Sequence, residues 1–263
     1  MNSKFSNQSD LMARGYSAEG VILKKTNFGE ADRLLTIFTK YKGKIRSLAK
    51  GVRKITSRRS PNLELLNHVK AQFAGGKTFD VVTEVTTITT HKKIKENLFK
   101  VSLGFHIAEI TDEFLPEDQI NRELFELLIS TLARLNKEED AERIKKIVRA
   151  FEIKLLAITG YKPQLDHCVK CGGSLSRVGN FISPEAGGVL DKKCSIGGIF
   201  LRPISADSIK LLRFLQESTL AKIDKLIITH LLNNEIESRL KFYIEYLLEK
   251  ELKSAKFIEQ VSR

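Results

Sequence analysis

Between positions 16 and 90 apolar and polar residues alternate with a period of two, and beyond position 90 the period lengthens to that of a helix. In the first stretch Val21, Leu23 and Lys25 alternate with Gly20, Ile22 and Lys24. Residues 34–38, 45–49, 69–73 and 79–88 follow as β-branched or aromatic runs. Turn signals separate them: Asn27-Phe28-Gly29, Tyr41-Lys42-Gly43 and Gly75-Gly76-Lys77. Five short strands are too few for a sandwich and predict a small Greek-key barrel. The five-stranded OB fold is the commonest such module with a nucleic-acid-binding face.

In the second stretch Ile144, Ile147, Val148, Phe151, Leu155 and Ile158 recur at spacings of three and four, a stripe that must bury against something. Residues 98–114 and 124–135 carry similar patterns, with Pro116 between them, and Gly160 supplies a helix stop. Helices resume over 206–215 and from Lys222 to the neighbourhood of Lys253. The expected fold class is α+β: a barrel over 1–90, then a helical domain over 91–263 interrupted by short strands and turns at about 165–202. Glu109, Asp112 and Glu113 lie opposite the stripe Phe105, Ile110, Phe114, which predicts a solvated acidic face.

Charge sharpens the picture of the barrel. The chain has a formal net charge of +12. Residues 1–90 hold 16 lysines and arginines against 7 carboxylates, whereas the remaining 173 residues are nearly balanced. From Lys40 to Arg59 there are nine cations and no acid: Lys40, Lys42, Lys44, Arg46, Lys50, Arg53, Lys54, Arg58 and Arg59. Such a run is a footprint for phosphate backbones. A solvated basic face with no partner is the plainer alternative. An interfacial membrane helix would interleave large apolar side chains, whereas Gly43, Ser47, Gly51 and Ser57 break this run. Phe28, Phe38, Tyr41, Phe73 and Phe79 are candidates for rings that stack on bases, although alternate residues of a barrel strand must face inward.

All three cysteines fall in one segment. Cys168 and Cys171 form a C-x-x-C in HCVKCGG, and nineteen residues separate Cys171 from Asp191-Lys192-Lys193-Cys194, the same spacing with one thiol replaced. Paired knuckles at such a separation read as a four-ligand zinc site, and zinc accepts a carboxylate oxygen in place of a sulfur. His167 is a rival fourth ligand. Gly172 and Gly173 after the first pair, with Gly187 and Gly188 before the second, allow the tight turns that knuckles need. Two readings stand: a structural Zn2+ held by Cys168, Cys171, Asp191 and Cys194, or a hairpin that keeps the shape without the metal.

Nothing in the chain asks for an enzyme. His68, His91, His106, His167 and His230 sit in unrelated segments, and no P-loop, dinucleotide fingerprint or Ser-His-Asp order can be read. A catalytic zinc would need a nearby general base, for which only Glu185 is at hand, and the deaminase signature is missing. The polar opening MNSKFSNQSD predicts no signal peptide. The apolar stretches, such as LIITHLL at 226–232, are too short to span a bilayer. A C-x-x-C in such a chain predicts the reducing cytoplasm.

The stretches EGVILKKTNFGEADRLLTIFT, GKIRSLAKGVRK, LLAITGYKPQLDHCVKCG and FISPEAGGVLDKKC together resemble the bacterial RecO family of recombination mediators, over most of the chain from Tyr16 to Cys194. The resemblance implies a non-enzymatic protein of DNA repair and recombination, associated with the nucleoid. It implies binding to single- and double-stranded DNA, annealing of complementary strands, contact with the C-terminal tail of single-strand-binding protein, and joint action with RecR in loading RecA. It carries phosphate contacts onto Lys44, Arg46, Lys50, Arg53 and Lys54, with Arg33 from the GEADR stretch. Arg58 and Arg59 join them on charge alone. Family members with a zinc site use four cysteines, so Asp191 is a departure. Two other function classes fit the same pattern: an RNA-binding OB protein with a structural zinc ribbon, and a zinc-dependent nucleic-acid enzyme.

Overall fold

A computed structural model describes residues 15–261, which places the polar opening MNSKFSNQSD outside the described residues. The chain forms two compact units. One takes in the described residues up to Lys92 together with Ala108–Ile129; the other is made of Lys93–Ile107 and the chain from Ser130 onward.

The first unit is built on a closed five-stranded barrel of order β1-β2-β3-β5-β4, as the period-two pattern predicts. Its strands are β1 (Tyr16–Phe28), β2 (Asp32–Thr39), β3 (Gly43–Ala49), β4 (His68–Ala74) and β5 (Asp80–Thr89). Strand β1 is long because it serves two neighbours. Tyr16 to Val21 pair with β4 and Gly20 to Phe28 pair with β2, and a register shift between Ile22 and Lys24 bends the strand between these tasks. Closure comes from parallel pairing of Ser47 with Asp80 and Leu48 with Val81.

Gly20 sits where β1 turns toward β2, and a Cβ there would lie 2.7 Å from a methyl carbon of Ile37 and 2.9 Å from the Phe38 carbonyl oxygen. Only glycine permits that approach. Alternate residues of β3, namely Gly43, Ile45, Ser47 and Ala49, are buried, whereas Lys44, Arg46 and Leu48 point outward. The barrel core gathers Ile22, Leu35, Ile37, Ile45, Val69, Phe73 and Val82. Val52 and Leu63, from the segment joining β3 to β4, plug it.

The helices are α1 (Lys92–Lys95), α2 (Leu98–Phe114), α3 (Arg122–Lys137), α4 (Ala141–Ile158), α5 (Ala206–Glu217), α6 (Leu220–Asp224), α7 (His230–Leu248) and α8 (Lys253–Val261). Helix α4 is the axis of the second unit. The Asp140 carboxylate caps it by accepting from the Arg143 N–H, and its stripe Ile144, Val148, Phe151 and Leu155 is buried. It stops at Thr159, followed by Gly160 at φ 90°. The helices expected from Lys222 to the neighbourhood of Lys253 are α6, α7 and the start of α8. Residues 225–229 separate α6 from α7, and Glu249 then adopts φ 53°, its N–H closing onto the carbonyls of Glu245 and Tyr246. Between α4 and α5 lie β6 (Asn180–Ser183), β7 (Gly188–Leu190) and β8 (Arg202–Ile204), a small antiparallel sheet of order β7-β6-β8. Among the described residues no helix is long and apolar enough to cross a membrane.

Candidate nucleic-acid interface and metal site

Residues 50–59, between β3 and β4, hold five of the eight sequence-predicted phosphate contacts on one anchored loop. The Gly51 N–H donates to Asp32 Oδ1 at 2.7 Å, and the Arg53 N–H donates to the Ala31 carbonyl at 2.9 Å. The Arg53 guanidinium reaches the Gly29 carbonyl at 3.1 Å. Arg59 acts as a clasp, donating to the carbonyls of Lys50 and Val82, each at 2.7 Å, and of Thr83 at 3.3 Å. A guanidinium with three hydrogen bonds to backbone oxygens holds the loop to β5. Lys50, Lys54 and Arg58 are different. They are exposed, and among the described residues their side chains make no ion pair or hydrogen bond.

The other three predicted contacts stand on β2 and β3 with protein partners. Arg33 Nη1 lies 3.3 Å from Glu64 Oε1, a carboxylate that Lys25 also engages. Lys44 Nζ donates to Asp112 Oδ1 at 3.0 Å, and Lys24 lies 3.6 Å from the other oxygen of that carboxylate. Arg46 Nε is 3.2 Å from Glu117, and Lys40 Nζ is 2.8 Å from Glu126, which raises the Lys40 pKa. Phe38 on β2 meets Phe125 edge to face at 5.6 Å. Segment 108–129 therefore lays carboxylates over the outward face of β1 to β3, and Gly43 is pressed so close that a Cβ would sit 2.5 Å from the Gln119 carbonyl oxygen. The solvated acidic face predicted for Glu109, Asp112 and Glu113 is not what forms. Asp112 is mostly covered and paired, and Glu109 and Glu113 are half-buried and engaged. The helical period located that face; it carried no information on a barrel that would cover it.

Of the five candidate rings, Phe38 and Phe73 are core. Tyr41 is exposed, with Arg122 5.2 Å and Lys40 5.8 Å from its ring centre. Phe28 and Phe79 meet edge to face at 6.5 Å, Phe28 exposed and Phe79 half-buried. They stand beside the cationic loop: Phe28 precedes Gly29, which Arg53 holds, and Phe79 precedes the strand that Arg59 clasps. Exposed Lys77, in the turn before Phe79, joins this rim and was missed in the sequence because it lies outside the dense run.

The second candidate site lies in the other unit. The ligand atoms of Cys168, Cys171, Asp191 and Cys194 all fall within 4.8 Å of one another. A tetrahedral shell with metal–sulfur bonds of about 2.3 Å needs neighbouring donors roughly 3.8 Å apart, so a small contraction completes it. The cluster rests on the small sheet: Val169 N–H donates to the Val189 carbonyl, and Cys168 N–H to that of Gly173. Asp191 is held as a knuckle residue is held. Its Oδ1 accepts from the backbone N–H of Lys193 and Cys194, both at 2.8 Å, leaving Oδ2 to accept from Cys171 Sγ at 3.2 Å. Those backbone donors, with the Cys171 thiol, bring the Asp191 pKa down to about 2. Burial pushes the Cys194 thiol up to about 12, helped by its thiol and carboxylate neighbours. At Cys168 burial also pushes upward, but donors from the backbone of Asp191, Cys171 and Lys170 outweigh it and lower the value. The rival ligand His167 is not part of the cluster. Three thiol sulfurs and one directed carboxylate oxygen are a set that can hold a metal ion, and they fit a structural one.

Comparison with known proteins places both units. Residues 12–91 match the family described as recombination protein O N terminal, and residues 95–256 match recombination protein O C terminal. The chain belongs to the RecO family. A protein of Dehalococcoides mccartyi named DNA repair protein RecO is 37% identical over 246 residues, covering 94% of this chain and 96% of its own. A RecO of Roseiflexus is 34% identical over 248 residues, covering 94% and 86%. One from Symbiobacterium thermophilum is 28% identical over 246 residues, covering 93% and 96%. The RecO resemblance read from the sequence is thereby shown, and the barrel with its following helices agrees with it.

Proposed function

We propose that this RecO-family chain is a DNA repair protein that binds single- and double-stranded DNA through its barrel and anneals complementary strands without hydrolysing nucleotides. Residues 1–90 form the nucleic-acid-binding domain in this reading and residues 91–263 the helical domain. The observation that carries it is the loop 50–59, which is anchored by Val52 and Arg59 and leaves Lys50, Lys54 and Arg58 without a partner among the described residues, beside the Phe28–Phe79 rings. Unpaired cations release counterions from any phosphate backbone, and exposed rings stack on any base, so the surface suits annealing, which must not depend on sequence.

The cations already neutralised, Lys44, Arg46 and Arg33, contribute less, and Arg53 and Arg59 chiefly hold the loop in shape. Zinc is the metal proposed for the knuckle, and the donor set supports a structural role in which it would tie 168–171 to 191–194. Partners in the same reading are RecR, the tail of single-strand-binding protein, and through them RecA, with the protein acting at the chromosome in the cytoplasm.

The test is annealing of complementary strands coated with single-strand-binding protein, without ATP, followed by RecA loading with and without RecR. Annealing that is lost in Lys50→Gln/Lys54→Gln/Arg58→Gln supports the reading. Failure of the parent protein to bind DNA, or a preference for RNA under competition, would overturn it.

A further inference from the structure

Ile55 stands at the apex of the cationic loop and is fully exposed. Its backbone is not loose. The Lys54 N–H donates to the Gly51 carbonyl at 3.2 Å, and the Ser57 N–H donates to the Lys54 carbonyl at 2.9 Å, so Ile55 and Thr56 form the corner of a closed turn stacked on another. Below that corner Val52 is sealed in the barrel core, and Arg59 clasps the far end to β5. Turn corners favour Gly, Pro, Asn, Asp and Ser, and a β-branched apolar residue there gains nothing from packing. Its neighbours Arg53, Lys54 and Arg58 are exposed cations. A loop anchored at both ends thus presents one exposed apolar side chain among cations, on the rim that also carries Phe28 and Phe79.

We infer that Ile55 is a wedge that enters the base stack of bound DNA, opening one step while Lys54 and Arg58 beside it hold the flanking phosphates. Proteins that bind the minor groove frequently insert an apolar wedge such as Leu or Ile between base steps, unstacking them, while Arg and Lys contact the groove. The charge selects a polyanion as the occupant, and a single small apolar tip with two rings on the same rim fits bases better than the broad apolar face that a lipid surface requires. The inference rests on the DNA-binding reading and adds a role for one residue: melting local secondary structure so that a second strand can pair.

The experiment uses the full chain with single-stranded and hairpin oligonucleotides that carry 2-aminopurine, whose emission rises when a base unstacks. The parent protein should raise emission several-fold on binding. Ile55→Ala should abolish the rise while the affinity falls only several-fold and its salt dependence stays the same. Ile55→Leu, which keeps an apolar tip, should restore it. Emission that is independent of residue 55, with DNA still bound, would overturn the wedge and leave the DNA reading standing. No binding by the parent protein would overturn both. Loss of binding to phosphatidylserine vesicles in Ile55→Ala, with 2-aminopurine emission unchanged, would assign the side chain to a lipid surface and overturn the wedge.

Discussion

Lys44 Nζ donates to Asp112 Oδ1 at 3.0 Å, with only 11% of the lysine side chain and 14% of the aspartate side chain exposed. In the sequence Lys44 is one of nine cations in an acid-free run, indistinguishable from Lys50 or Lys54. In the fold it is a structural cation. Lys44→Ala leaves a mostly covered carboxylate with only the more exposed Lys24 at 3.6 Å, and should lower unfolding free energy by about 1–3 kcal/mol, read from urea denaturation. DNA affinity measured on the folded variant should change little.

The Phe28–Phe79 pair should matter for single strands more than for duplexes. Stacking on an exposed ring is worth about 1–3 kcal/mol per base, and bases of a duplex are already stacked on each other. Phe28→Ala, at a position 46% exposed, should weaken single-strand binding by roughly tenfold or more and leave duplex binding nearly unchanged. Fluorescence anisotropy with both substrates reads the difference.

Elemental analysis of the purified protein should give one equivalent of zinc. Asp191→Cys, which completes a four-sulfur set, should retain it, and Asp191→Ala should lower occupancy. Because the knuckle is one segment of a larger unit, removal of the metal by a chelator should loosen 165–202, seen as faster amide exchange, without unfolding α4.

Glu142 links α4 to α7, accepting from Asn233 Nδ2 at 2.7 Å and lying 2.8 Å from His230 Nδ1 and 3.3 Å from Lys145. Burial pushes its pKa upward, but these hydrogen bonds outweigh it and hold the carboxyl below its ordinary value. A carboxyl lowered in the folded state adds stability above its unfolded pKa of about 4.3 and loses it as pH falls through the folded value. Thermal melts should therefore show Glu142→Gln less stable than the parent at neutral pH, with the gap closing below about pH 4.

The barrel was legible in the sequence because a strand with one buried face must alternate, and β3 does so from Gly43 to Ala49 without exception. The cluster of three cysteines and Asp191 was legible because its residues come as pairs at fixed short spacing. What the sequence hid is which cations are free. Asp112, Glu117 and Glu126 lie more than sixty residues beyond Lys44 and Arg46, and no local pattern says that segment 108–129 folds back on the barrel. The sequence also did not mark where the last helices end. Glu249 takes a left-handed conformation without the glycine that usually marks one.

The most direct test of the barrel rim as the DNA-binding surface is the salt dependence of single-strand binding. Each lost phosphate contact should lower the slope of log K against log salt by about 0.7. Lys50→Gln/Lys54→Gln/Arg58→Gln, which removes side chains that have no partner among the described residues, should flatten the slope by about 2 relative to the parent, while Lys44→Gln leaves it unchanged. A slope unaltered in the triple variant, or one flattened by Lys44→Gln alone, would contradict the assignment of the DNA contact to the loop 50–59.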